Sequence, residues 1–309
     1  KKKGLTRRAM TGEGAQLLVD LGHSLMKAHE QAYKAETHLR KTGRLTLKNK
    51  QNEEATIELG DREIEKASIS LTDFGGFQIQ INQQTIQGAV EQALATLYRV
   101  PITLSGASRT DAGVHALQNF FHFDTALEIL DKHIYNLNAI LPHSIVIKGI
   151  YCVPNEAHAR FDAVKRSYIY KLHTFKDPFL AGRSWFYPFP VNHQLLNDAA
   201  NALLDYTDFE SFSKKNTTVN TFECHITKAF WSFNAQGFSF HIDSNRFLRG
   251  MIRGLVGTML QVGRGAISME QWHEIIASKN DQRVDFSTPA HGLYLSVIEY
   301  PNYLKKIGD

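Results

Sequence analysis

The chain has very little cysteine. Of 309 residues only Cys152 and Cys224 are thiols, far apart and in no CxxC pair. That argues against a disulfide framework and a thiolate zinc site, and makes a reducing compartment, the cytoplasm, the expectation. No run of 18 apolar residues occurs, so no membrane-spanning helix is expected. The basic start KKKGLTRRAM is not followed by an apolar h-region, because Asp20 and His23 interrupt AQLLVDLGHSLM; no signal peptide is expected. A Walker A motif and a GxGxxG after a strand are both missing, which leaves no nucleotide-cofactor signal. Histidines 115, 122, 158, 225, 241 and 291 show neither HxH nor HExxH spacing, so neither a metal nor any other cofactor is expected.

Aromatics are almost missing from the first 66 residues, where Tyr33 stands alone. This stretch holds 14 Lys and Arg against 10 Asp and Glu, and residues 67–309 hold 21 of each. The formal charge of +4 therefore lies in the N-terminal stretch. If the remainder binds nucleic acid, it does so through a local basic patch. Residues 1–66 read as a charged, partly helical extension, with KNKQNEEATIELGDREIEKA as a linker or an exposed helix.

From residue 67 the pattern is that of a globular core. ASISLTDF reads as a strand and TIQGAVEQALATLYR as a helix capped by Thr85. PITLSGAS, HALQNFFHFD and SIVIKGIYCV read as strands, with a helix around 126–140 between the last two. Then RSYIYKLHTF is a strand and NHQLLNDAANALLDY a helix capped by Asn192. CHITKAFWSF and GFSFHIDS form a hairpin around Asn234–Gly237. A long helix covers about 245–262, a second helix is announced by the capping box Ser268–Gln271, and HGLYLSVIEY is the last strand. The order β-α-β-β-α-β occurs twice. It predicts an α+β fold of two ferredoxin-like halves, 67–154 and 155–309, each with an antiparallel sheet and helices on one face.

Three blocks carry candidate chemistry. SGASRTDAGVHA places Arg109 and Asp111 in a turn of small residues. Asp111 reads either as a turn aspartate bonded to its own backbone or as a carboxylate that a ligand backbone can approach closely. NRFLRGMIRGLVGTMLQVG spaces Arg246, Arg249 and Arg253 along one helix face beside a stripe of glycines, which a helix tolerates where something packs very close. Arg253 has apolar neighbours on both sides; as a partly buried guanidinium it calls for a carboxylate, and Asp111 is the candidate. HARFDAVKRSYIYK interleaves Arg160, Lys165 and Arg166 with Phe161, Tyr168 and Tyr170. It reads either as an ordinary half-buried strand or as a surface for an unstacked base and its phosphates.

These blocks, with DFESFSK and the closing PAHGLYLSVIEY, resemble the bacterial TruA family of tRNA pseudouridine synthases over about residues 75–301. The resemblance implies that the two halves share a central antiparallel sheet with a basic cleft between them, in a homodimer acting without metal or cofactor on uridines 38 to 40 of the tRNA anticodon stem-loop. By motif position it implies that Asp111 is the nucleophile, that Tyr168 packs on the uracil and that Arg253 pairs with Asp111. Arg109 would help displace the base. Arg166, His115, Arg160 and Arg249 fall in the same blocks and are the further candidate substrate contacts. Relatives usually begin with a strand like YDGTxYxGWQ; here only ISLTDFGGFQIQ is found, with Phe77 in place of Trp. The alternative is a tRNA-binding or tRNA-folding protein of the same fold that has lost catalysis.

Overall fold

A computed structural model describes residues 44–48, 54–58, 74–80, 82–214, 221–302 and 305–306. The expected strand over 67–73 lies outside them. The chain divides into two compact units, Lys1–Glu65 and Lys66–Asp309. In the first, β1 (Arg44–Lys48) and β2 (Glu54–Glu58) pair antiparallel, with Leu45 opposite Ile57. Residues 54–58 are thus a strand and not the expected linker or helix. RLTLK and EATIE alternate apolar with polar residues, and period two selects a strand.

The second unit is α+β. Helix α1 (Ile86–Tyr98) starts at Thr85, whose side chain accepts the Gly88 N–H. There follow β3 (Ser105–Gly106), β4 (His115–Ala116), β5 (Phe121–His122), α2 (Lys132–Ile140) and β6 (Tyr151–Cys152). The C-terminal part runs β7 (Lys165–His173), β8 (Trp185–Phe186), α3 (His193–Ala202), β9 (Ile226–Asn234), β10 (Gly237–Ser244), α4 (Met251–Gly263), α5 (Met269–Ala277), β11 (Leu293–Glu299) and β12 (Lys305–Lys306). Asn192 caps α3 and the Ser268–Gln271 capping box opens α5, as the sequence predicts.

The main sheet has the order β4-β11-β7-β10-β9, with β8 beside the far end of β7. The pairs β11–β7, β7–β10 and β10–β9 are antiparallel. However, β4–β11 and β7–β8 are parallel, so the sheet is mixed rather than the expected antiparallel one. The chain leaving the Asp111 turn enters the sheet alongside its last strand. The Leu117 N–H donates to the Leu295 carbonyl at 2.8 Å and the Ile298 N–H to Gln118 Oε1 at 2.9 Å.

The main core lies between this sheet and α3–α5, around Tyr170, Phe240, Ile242, Met251, Leu255 and Trp272. A smaller cluster joins α1 and α2 through Val90, Leu94, Leu104 and Leu137. The glycines of α4 do sit under close neighbours. A methyl on Gly254 would meet Phe286 at 2.8 Å and Val284 at 2.9 Å, and one on Gly257 the Thr288 hydroxyl at 2.6 Å. The helix itself begins later than expected. Gly250 is left-handed at φ 75° and marks its start, so Arg246 and Arg249 precede the helix and do not share a face with Arg253. Among the described residues no helix is long and apolar enough to cross a membrane.

Candidate active site

The turn that carries Asp111 is held from three directions. Beneath it, the Ala107 N–H donates to the Phe120 carbonyl at 2.8 Å and Asn119 Nδ2 to the Ser108 carbonyl at 3.1 Å. Within it, the Val114 N–H donates to the Asp111 carbonyl at 3.1 Å. From the side, the Phe77 N–H donates to the Thr110 carbonyl at 3.0 Å. The Phe77 ring, 2% exposed, fills the space where a Gly106 side chain would stand. Gly76, at φ 111°, lies against the same turn: a methyl on it would reach the Thr110 carbonyl at 3.1 Å. Small residues there let two backbone segments touch. Along the turn Ala107, Ser108 and Thr110 are buried while Arg109 and Asp111 are exposed. The charged pair therefore faces outward from a fixed base.

Tyr168 stands on β7, half-buried, edge-on to Phe247 with centroids 5.2 Å apart. Burial pushes its phenol up to about 12; the Ser108 hydroxyl and Arg166 pull it down and Asp111 pushes it further up. The phenol is therefore neutral at physiological pH, and Asp111 and Ser108 are its neighbours.

Arg166 takes a different place from the one expected. It is only 9% exposed. Its guanidinium donates to Ser108 Oγ (3.3 Å) and to the carbonyls of Ala163 (3.4 Å), Ala107 (3.3 Å), Asn245 (2.9 Å) and Arg160 (2.6 Å). Five bonds to neutral protein oxygens leave nothing for a substrate, so Arg166 builds the site from within. Desolvation lowers its pKa, and Tyr168 and Tyr300 partly offset that. His115 is likewise a structural residue. It is 0% exposed and stacks on Tyr294 at 4.6 Å. Its Nε2 lies 2.9 Å from the Gly182 carbonyl, which can only accept, so Nε2 carries the proton.

Arg253 is half-buried on α4, as its apolar neighbours imply. Its Nε donates to the Thr288 carbonyl at 2.6 Å. Among the described residues no ion pair joins it to Asp111, so the expected pair is not formed in this structure. A different group of cations gathers at the turn. Burial lowers the pKa of Arg160, and Arg109 and Arg246 lower it further. Arg249 is exposed in the loop before α4. The sequence marks Phe77 only as standing in place of Trp; that FGGF supplies one wall of the turn is seen in the structure, and two adjacent glycines between aromatic rings are the available signal.

An exposed carboxylate on a braced turn, a neutral tyrosine near it and arginines that have no carboxylate partner among the described residues suit chemistry on a polyanion. The comparisons agree. Residues 199–301 match the family described as tRNA pseudouridine synthase. The chain is 42% identical to tRNA pseudouridine synthase A of Parabacteroides distasonis over 239 residues, 77% of this chain and 95% of that protein. It is 43% identical to the enzyme of the same name from Azobacteroides pseudotrichonymphae, over 76% and 94% of the two chains. The Bacillus subtilis one is 37% identical over 74% and 95%. The chain belongs to the tRNA pseudouridine synthase family, isomerases that act on tRNA.

Proposed function

We propose that this protein isomerises uridine to pseudouridine in the anticodon stem-loop of tRNA, at positions 38 to 40, with Asp111 as nucleophile. The observation that carries this reading is Asp111 itself, exposed on a turn locked by Phe77, Asn119 and Arg166, with the Tyr168 phenol beside it. The target nucleotide leaves the stack, at a cost of a few kcal/mol. Arg109 fills the gap and holds phosphate. Asp111 adds to uracil C6 or to ribose C1′. The C1′–N1 bond breaks, the ring turns, C5 bonds to C1′, the bond to Asp111 breaks so that its carboxylate is regenerated, C5 loses its proton and N1 gains one. Nothing is oxidised or reduced, and the step needs no cofactor. Tyr168 holds the freed ring by packing and donates its hydroxyl proton to a hydrogen bond. Arg253 pairs with Asp111 once RNA fills the site.

The strand order β11-β7-β10-β9 is fourth, first, third, second within the C-terminal part, which supports a ferredoxin-like half there. The N-terminal part is its shorter counterpart, and the basic cleft lies between them. The protein acts as a cytoplasmic homodimer. Residues 1–66 are an appendage to this enzyme: the relatives are covered almost whole, while about a quarter of this chain lies outside the match.

The test is tritium release from tRNA labelled at uridine C5, with the wild type beside Asp111→Ala. Release by the wild type alone is expected, the variant being slower by at least about 10³-fold while binding tRNA within several-fold. Tight binding with no release from either protein would replace this reading with a tRNA-binding protein.

A further inference from the structure

A concave surface lies beside the Asp111 turn; it takes in Arg109 but not Asp111, Tyr168 or Arg253. This pocket, of about 190 Å³, is bounded by Gln78, Gln87, Arg109, His158, Arg160 and Phe161 among others. Its outer wall is an aromatic shelf. Phe161 is 73% exposed, with the His158 ring 4.3 Å from it and the Arg160 guanidinium 5.7 Å from its centroid. The shelf is braced along its backbone. The His158 N–H donates to Asp162 Oδ2 at 2.8 Å and the Ala159 N–H to His122 Nδ1 at 3.1 Å. Tyr300 donates its hydroxyl to the Ala159 carbonyl, and Arg166 donates to the Arg160 carbonyl at 2.6 Å. A phenyl ring carried on a braced backbone offers its face at a reduced ordering cost.

The charge at the pocket mouth points the same way. Arg109 and Arg160 both line the pocket, and Arg109 and Arg246 lower the pKa of Arg160. Among the described residues none of the three is ion-paired with a carboxylate. Crowded like charges are relieved by an anion, and a π face takes a base. Together they describe a nucleotide. The amide of Gln87 is already bonded to Glu91, Leu104 and Ile79, so the pocket grips the base through its face more than through its edge.

We propose that this pocket is a second nucleotide subsite. It seats a nucleotide flanking the target uridine in the same RNA, with its base on Phe161 and its phosphate between Arg109 and Arg160. Stacking on a ring face tolerates any base. The proposal rests on the RNA-modifying reading above.

The test uses the full chain and anticodon stem-loop RNAs, in single-turnover kinetics and equilibrium binding. Phe161→Ala weakens binding and raises KM about ten-fold, with kcat changed less than about two-fold; Phe161→Trp restores binding. Phe179→Ala, at a phenylalanine 83% exposed outside the pocket, is the control and changes neither. In a series of RNAs carrying one abasic sugar beside the target, one position costs the wild type about ten-fold and Phe161→Ala nothing more. That position is the seated nucleotide, and changing its base identity leaves affinity within about two-fold. Equal binding by wild type and Phe161→Ala would overturn the subsite, as would a loss that persists with every abasic RNA. If the wild type binds without turnover while Phe161→Ala still loses affinity, the isomerase reading fails and the subsite stands.

Discussion

The C-terminal part of the second unit and its N-terminal part are held together in different ways. Strands β7, β9, β10 and β11 run nine, nine, eight and seven residues, whereas β3 to β6 have two each. In the first case ladder hydrogen bonds and a common core fix the backbone. In the second, isolated backbone bonds and side chains do it together. Asn138 takes both the N–H and the carbonyl of Ile147, Asn119 accepts from Phe120, and Lys148 donates to the Leu117 carbonyl. Arg109 and Asp111 lie on the part tied by side chains. Loops positioned by a regular scaffold are where chemistry is placed, and here Arg166 links the two: it is rooted in β7 and grips Ala107, Ser108 and Arg160.

Removing that link gives the largest effect. Arg166→Leu strands the carbonyls of Ala107, Arg160 and Asn245 and costs about 3 kcal/mol of stability. The turn is displaced, and single-turnover rate falls about 100-fold. Arg166→Lys restores neither, since one ammonium cannot span acceptors on three segments. Urea unfolding with rate measurement checks both numbers. A lysine variant with normal rate would show that charge alone suffices.

Two glycine substitutions then separate the parts. Gly237 lies at the β9–β10 hairpin, where a methyl would run into the Leu172 carbonyl and meet His173 Cα at 2.7 Å. Gly237→Ala is expected to cost about 2 kcal/mol and to leave kcat within about two-fold below its melting temperature. Gly76→Ala acts in the opposite sense. Its φ of 111° and the nearby Thr110 carbonyl make it cost about 1 kcal/mol. It also shifts the Asp111 turn and lowers kcat about ten-fold. Equal losses of stability and rate in both variants would erase the distinction between the parts.

The same contrast sets what the sequence could tell. Caps at Thr85, Asn192 and Ser268 and the turn at Asn234–Gly237 are local signals, and the elements they bound stand where expected. Strands expected over 101–108, 115–124 and 144–153 shrink to two residues each, or to two such pairs, because side chains claim backbone groups that a ladder would use. The sequence places the helix start too early because Arg246 to Gly250 reads as helix unless the left-handed Gly250 is known. Arg166 and His115 read as substrate contacts because a basic residue in a motif looks like a surface residue. Only carbonyls from distant segments make their burial possible. The Arg253 partner was legible as a need, not as an identity: the Thr288 carbonyl meets it at 2.6 Å.

The smallest effect concerns Tyr168, a candidate site residue on the regular scaffold. Burial holds its phenol at about 12, and that of Tyr294 also at about 12, against about 10 in an unfolded chain. Between those values the unfolded state has released protons that the folded state keeps. The stabilisation is therefore complete below about pH 10 and is lost as pH rises towards 12. Tyr168→Phe removes one of these titrations, so its stability falls less steeply than the wild type's over that interval. Between pH 7 and 9 the phenol stays protonated, and the kcat profiles of variant and wild type run parallel whatever their offset. A kcat limb near pH 8 that vanishes in Tyr168→Phe would mean that the phenolate does the work, and that the scaffold lowers this pKa during reaction instead of holding it up.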